Sequence, residues 1–139
     1  MVDATMASNL NWTSASHEGD DGISTVRLRQ LDASFNFRAL PERLNLLWNG
    51  ADTDAGRDAM ARFEQRVLAR LANDEDTALV LVFVEPDHGE FVFHSRSTTA
   101  FLAMLESLEQ ESAPYPIEID HESDPDGQFY RDYAAELRG

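Results

Sequence analysis

The side chains with the clearest chemical potential in this sequence lie in one acidic run, Asp120-His121-Glu122-Ser123-Asp124-Pro125-Asp126-Gly127. Carboxylates at alternate positions followed by a glycine are what a calcium loop offers a hard cation, the glycine permitting a sharp turn. With Gly127 at the sixth place of such a loop, Glu122 falls first, Asp124 third and Asp126 fifth. Tyr133 then falls twelfth, where a bidentate glutamate is needed, and a strand-like segment rather than a helix precedes Pro125, so the pattern fails. A short acid just before a helix serves better as a cap, accepting free backbone N–H groups and complementing the dipole. Asp124 or Asp126 is therefore expected to cap the last helix. The four histidines, His17, His88, His94 and His121, include no pair four apart with a glutamate between, as a helical zinc site requires. His94 and His121 each fall near a strand end. If those strands are neighbours, the imidazoles meet with Asp120 or Glu122 close by, and a small metal-dependent hydrolase becomes the enzymatic alternative. Scattered surface histidines are the commoner arrangement, so no metal is assigned, and His94, His121, Asp120, Glu122, Asp124 and Asp126 stand as candidates only.

Other chemistries find less support. Nucleophilic catalysis needs a hydroxyl or thiol beside an oriented base, and no Gly-x-Ser-x-Gly elbow singles out a serine. A carboxylate pair for glycoside hydrolysis cannot be picked from 26 acids. No Gly-x-Gly-x-x-Gly or Walker pattern offers a phosphate cradle. No catalytic or cofactor-binding residue is assigned, and no cofactor is expected. Arg62, Arg66 and Arg70, four apart with Arg57 nearby, form a basic stripe on one helix. Asp58 stands at i, i+4 to Arg62, and a salt-bridged, solvated face is a better account of the stripe than a docking strip for an acidic partner.

The positioning framework must come from a single domain, because 139 residues can build one substantial core and not two. The hydrophobic fraction of 42% beside 27% charged residues is that of a folded chain. Eleven basic residues, all arginine, stand against 26 acids and leave a formal charge of −15. The missing lysine fits a GC-rich coding genome or adaptation to salt. A charge of this sign repels phosphate backbones and anionic lipids and steers basic proteins inward, so nucleic acid and membrane are not expected as partners and a basic protein is. Oligomeric state is not readable. The chain has no cysteine, hence no disulfide and no thiolate, as is usual in the cytoplasm, the expected compartment. Residues 1–9 carry neither the basic nor the apolar region of a secretory signal and are expected to be a flexible N-terminus ahead of one α+β domain over 10–139. The longest apolar run, 78–84, is far short of the ~20 residues of a membrane helix.

Within that domain, Gly19-Asp20-Asp21-Gly22 reads as a turn before the alternating segment 23–29, an N-terminal hairpin. Phe35 and Phe37 follow at period two. Leu44, Leu46 and Trp48 share one face of a strand ended by Asn49-Gly50. From Asp54 to Leu71 the period becomes helical, with Met60, Phe63, Val67 and Leu71 on one stripe and Asp52, Thr53 or Asp54 as cap. The Val- and Leu-rich segment 77–85 lacks alternation and reads as a strand covered on both faces, turning at Pro86-Asp87-His88-Gly89 into 90–94. A helix capped by Ser97 or Thr98, a short strand at 116–120 and a last helix carrying Phe129, Tyr130, Tyr133, Ala134 and Leu137 complete the chain. From Leu44 onward this is β-α-β-β-α-β, the split, ferredoxin-like arrangement of an antiparallel sheet with two helices on one face, preceded by a β-hairpin and followed by a C-terminal helix.

The segments Ala113-Pro114-Tyr115-Pro116-Ile117-Glu118-Ile119, Glu122-Ser123-Asp124-Pro125-Asp126 and Phe129-Tyr130-Arg131-Asp132-Tyr133 resemble the end of the bacterial domain-of-unknown-function family 695. There a Tyr-Pro-Ile strand leads into Asp-Pro-x-Trp and then a tyrosine. Asn11-Trp12, the helix through Phe63-Glu64 and Val67-Leu68, and the hairpin from Val80 to His94 extend the likeness over most of the chain from about residue 10. Gly127 stands where the family usually has Trp, and Glu85-Pro86-Asp87-His88-Gly89 where it has a Thr-x-Gly hairpin. The resemblance implies no established activity. It does imply a distant similarity to the regulator of ribonuclease E activity B, an acidic ferredoxin-like inhibitor joined to this domain in some members. The expectation is thus a non-enzymatic binding or inhibitory module for a basic protein, in the manner of a regulator or an immunity protein.

Overall fold

A computed structural model describes residues 12–138. Asn11 and the expectation for residues 1–9 lie outside the described residues. β1 (Trp12–Gly19) and β2 (Gly22–Arg29) pair antiparallel from Trp12↔Arg29 to Gly19↔Gly22, with Asp20 and Asp21 as the turn. Gly22 closes that turn at φ 131°, a backbone region open to glycine, and a Cβ there would sit 3.3 Å from Pro86 Cγ. The two Phe at period two do not form a strand: Phe37–Ala39 is a short 3-10 turn begun by Asn36, whose side chain accepts from Arg38 N at 3.0 Å. β3 (Glu42–Asn49) then crosses the sheet, and α1 (Asp54–Leu71) starts where Thr53 Oγ1 accepts from Gly56 N. β4 (Thr77–Val84), β5 (His88–Ser95), α2 (Thr98–Glu106), β6 (Ile117–Ser123) and α3 (Gln128–Arg138) follow. Ser97 caps α2 by accepting from Ala100 N.

The strand order is β1-β2-β4-β5-β3-β6, and every neighbouring pair is antiparallel. Opposed residues share a face and successive ones alternate, so the register assigns each side chain to a layer. Leu44, Leu46 and Trp48 of β3, with Leu79, Val82, Phe91 and Phe93, meet Met60, Phe63 and Val67 of α1 and Phe101 and Met104 of α2. On the other face Leu28, Val80, Leu81 and Val92 meet Tyr130 and Ala134 of α3, together with Phe37 and Leu40 from the 3-10 segment. An irregularity between Leu79 and Leu81 explains why β4 shows no alternation: Val80 and Leu81 both belong to the α3 side, and Leu79 and Val82 to the other. The architecture is a mixed α/β domain with a six-stranded antiparallel sheet and, among the described residues, three α-helices. Among the described residues no helix is long and apolar enough to cross a membrane.

Candidate functional site

The register decides the fate of the candidate ligands. β3 lies between β5 and β6, so His94 and His121 are not on adjacent strands. Arg43 of β3 is opposite both His94 and Glu122, whereas Leu44 is opposite both Phe93 and His121. The offset of one residue sends His94 to the α3 face and His121 to the face of α1 and α2. The condition under which the two imidazoles would meet, neighbouring strands, is not fulfilled. His121 instead hydrogen-bonds Glu42, two positions along the neighbouring strand on its own face. The first half of the acidic run is not a loop either, since Asp120 to Ser123 is strand β6, paired with β3 from Asn45 to Glu42. Among the described residues, no three His, Asp or Glu side chains converge in a way that could hold a metal ion.

The α3 face holds a different constellation, centred on Arg43. Its guanidinium donates to Asn45 Oδ1 at 3.0 Å, to Asp124 Oδ2 at 3.2 Å and to Glu122 Oε2 at 2.9 Å, and lies 4.5 Å from the centroid of the Phe129 ring. Asn45 in turn donates to Glu90 at 2.7 Å. Asp124 is the cap of α3: its carboxylate accepts from the backbone N–H of Gln128 at 2.9 Å and of Phe129 at 3.3 Å. Asp126 pairs with Arg38 instead. Burial pushes the Asp124 carboxyl up, but the two backbone N–H groups and Arg43 outweigh it and hold the group below the usual carboxylate range. Gly127, at φ 64°, follows the cap, and a Cβ there would meet the Phe37 ring at 2.5 Å, so the larger residue that the resembled pattern carries has no room.

His94 completes this constellation. It is fully buried, its Nδ1 donates to the Leu40 carbonyl at 2.9 Å, and its ring stands edge-on to Phe37. Nε2 has no hydrogen-bond partner and lies 3.9 Å from Asp124 Oδ2. Burial lowers the His94 pKa, against the opposing pull of the Leu40 carbonyl and the Asp124 carboxylate. With Arg43 supplying the positive charge among these acids, the network fastens α3 to β3 and β6. Arg43 escaped the sequence reading because it is out of phase with Leu44, Leu46 and Trp48 and reads as solvent-facing. The available signal was that a strand covered on both faces buries its polar positions too.

The arginine stripe of α1 is neutralised, though not within the helix. Arg62 and Arg66 both donate to Glu111 at 2.8 Å, Arg66 also donates to Tyr115 Oη, and Arg70 pairs with Asp74 and donates to Ser107 Oγ. Among the described residues eight arginines are paired with carboxylates.

Charge is left uncompensated at the opposite end of β2 and β4. The β1–β2 turn and the β4–β5 turn line one cleft, formed by 19–22, Ser24 and Glu85 through His88. Glu18, Asp20, Asp21, Glu85 and Asp87 gather there, while segments 17–24 and 84–90 contain no arginine. His88 bonds to Asp87 at 2.7 Å and holds the Asp87 carboxyl below its usual pKa. Ile23, opposite Glu18 and 59% exposed, is the most exposed large apolar side chain described. Ser24 donates to Glu85 at 2.8 Å, and these two residues also open a second depression. That groove runs between the hairpin and α3, with Ala15, Val26 and Phe83 as floor and Tyr133, Glu136 and Leu137 as wall. The composition carried the sign of this surface, but the pairing that frees these acids is set by tertiary structure.

A model of the family described as Family of unknown function (DUF695) matches residues 11–134. No curated protein and no solved structure matches this chain.

Proposed function

The chain belongs to the family of unknown function DUF695, and we propose that it is a non-enzymatic binding module that docks a basic surface of a protein partner through its two acidic turns. The observation that carries this reading is the segregation of charge. Among the described residues eight arginines elsewhere are matched by carboxylates, whereas five acids gather at the turns, Glu18, Asp20, Asp21 and Asp87 exposed and Glu85 half-buried, and segments 17–24 and 84–90 hold no arginine. Such a field steers a cationic partner and raises its on-rate, and an apolar centre then slows dissociation. Ile23 supplies that centre.

The sheet order β6-β3-β5-β4, with α1 and α2 on one face, supports a ferredoxin-like body with the hairpin β1–β2 added at the β4 edge and α3 across the other face. That fold-level likeness is the ground for comparing the chain with the regulator of ribonuclease E activity B and for an inhibitory role. A cysteine-free domain of this kind fits the cytoplasm.

The test is affinity capture from the native lysate on two baits, the wild-type chain and Asp20→Asn/Asp21→Asn/Asp87→Asn. The expected result is one basic protein retained by the wild type, released at moderate salt and missing from the variant. Equal recovery of that protein on both baits, or retention indifferent to salt, overturns the reading.

A further inference from the structure

The α3 face of the sheet is only partly roofed. α3 covers its centre and Leu28 of β2 through Tyr130 and Ala134, but β1 and the 24–26 end of β2 lie beyond it, so Ala15, Val26 and Phe83 are half-buried beside the wall of Tyr133 and Leu137. At that end two strands about 4.8 Å apart leave an uncovered strip about as wide as a helix, roughly 10 Å. A helix alongside α3 is what the layer lacks. The rim sets the chemistry of that helix: Glu85 and Glu136 flank the apolar floor, and no arginine among the described residues lines the groove. A second copy of this chain, at −15, would bring like charge to that rim.

We propose that the groove between α3 and the β1–β2 hairpin receives an amphipathic basic helix of the protein partner, its apolar side chains on Ala15, Val26, Phe83, Tyr133 and Leu137 and its cationic ones toward Glu85 and Glu136. The inference rests on the docking reading above and names the element that docks. Ser24 and Glu85 border both depressions, so the groove continues into the acidic cleft. A helix lying in it places further cations over Asp20, Asp21 and Asp87. Anchors at helical spacing in an apolar groove give the affinity, and the acidic rim fixes the sign of the partner.

The test titrates the full chain with a synthetic helix of about 18 residues, about five turns, bearing leucines on one face and arginines on the other. A control peptide of the same charge carries alanine for leucine. The expected result is that the leucine peptide binds about tenfold or more tightly than the control, because several methyl-bearing side chains leave water only in the groove. Ala15→Arg, which lays a long side chain across the floor, should abolish that difference. Glu136→Gln, an exposed change that spares the packing, should weaken both peptides by about two- to threefold. Equal affinity of the two peptides overturns the groove and leaves the acidic docking surface standing. Failure of both peptides to bind overturns the two together. Concentration-dependent dimerisation that Ala15→Arg abolishes would make a second copy the occupant and overturn the proposal.

Discussion

The two faces of the sheet solve the same problem with different materials. Under α1 and α2 the core contacts are apolar, with the Thr77–Ser95 hydroxyl pair and the Arg27–Glu64 ion pair at the margins, and Phe63 is set among Trp48, Phe91 and Tyr115 at centroid distances of 5.3, 5.3 and 5.0 Å. Even Trp48 Nε1 is buried there without a hydrogen-bond partner. Under α3 the apolar contacts share the face with Arg43, Asn45, His94 and Asp124, and β1 with the adjoining end of β2 stays unroofed. The difference teaches where each property resides. Area removed from water makes the first face the source of stability, while directional bonds on the second fix one helix in position and leave the strip beside it open.

The comparison breaks first if the dry face proves dispensable. Phe63→Ala removes a fully buried ring from the centre of that face, and the expected loss is about 3–5 kcal/mol in urea or guanidinium unfolding. Arg43→Met on the other face should cost less, about 2–4 kcal/mol. It strands the buried Asp124 carboxylate, although the two α3 N–H groups still satisfy that group and Glu122 is free to turn to water. An Arg43→Met cost equal to or above that of Phe63→Ala would reverse the assignment.

The dry face was the legible one. Its residues recur at one period, two on β3 and near 3.6 on α1, so Leu44, Leu46, Trp48, Met60, Phe63 and Val67 could be placed from spacing alone. The caps were legible to within neighbouring candidates for a similar reason, because the side chain acts on backbone within a few residues of itself, and the structure selects Thr53 from 52–54, Ser97 over Thr98 and Asp124 over Asp126. The polar face was not. Arg43 meets Asp124 across 81 residues, and His94 meets Leu40 across 54. Which histidine joins which acid depends on the order β5-β3-β6 and on a register offset of one residue. Local spacing carries no information about either, and that is why the sequence could only make a meeting of His94 and His121 conditional on neighbouring strands, which the sheet does not provide.

His94 sharpens the contrast through pH. Its folded pKa is lowered by burial, so the unfolded chain binds a proton at a higher pH than the folded one does. Stability from this group is therefore complete above the unfolded value, about 6.5, and falls as the pH drops below it toward the folded pKa. Urea midpoints measured from pH 7.5 downward should decline first in this window. His94→Asn, whose amide can still donate to the Leu40 carbonyl, should flatten that part of the curve. An unchanged slope in the variant would place the early acid sensitivity elsewhere.

The smallest effect is expected from the other arginine network, on the outer side of α1. Glu111 accepts from Arg62 and Arg66, and these bonds, ahead of burial, bring its pKa down to about 2. A depressed carboxyl contributes stability that is complete above its unfolded pKa, about 4.3, and is lost as the pH falls through about 2. The loss from this group begins below the pH at which that of His94 begins, so the two onsets separate on one titration. The network faces solvent, where ions screen it and water competes for the same donors, so 0.5 M salt should shrink the Glu111 contribution while sparing that of the enclosed His94. Glu111→Gln should remove the acid limb and lower the neutral-pH midpoint only slightly, by the small height of that limb. If instead the variant unfolds as readily at pH 7 as Arg43→Met does, the exposed network is holding the 107–116 segment against α1 as firmly as the buried one holds α3, and burial is not what separates the two faces.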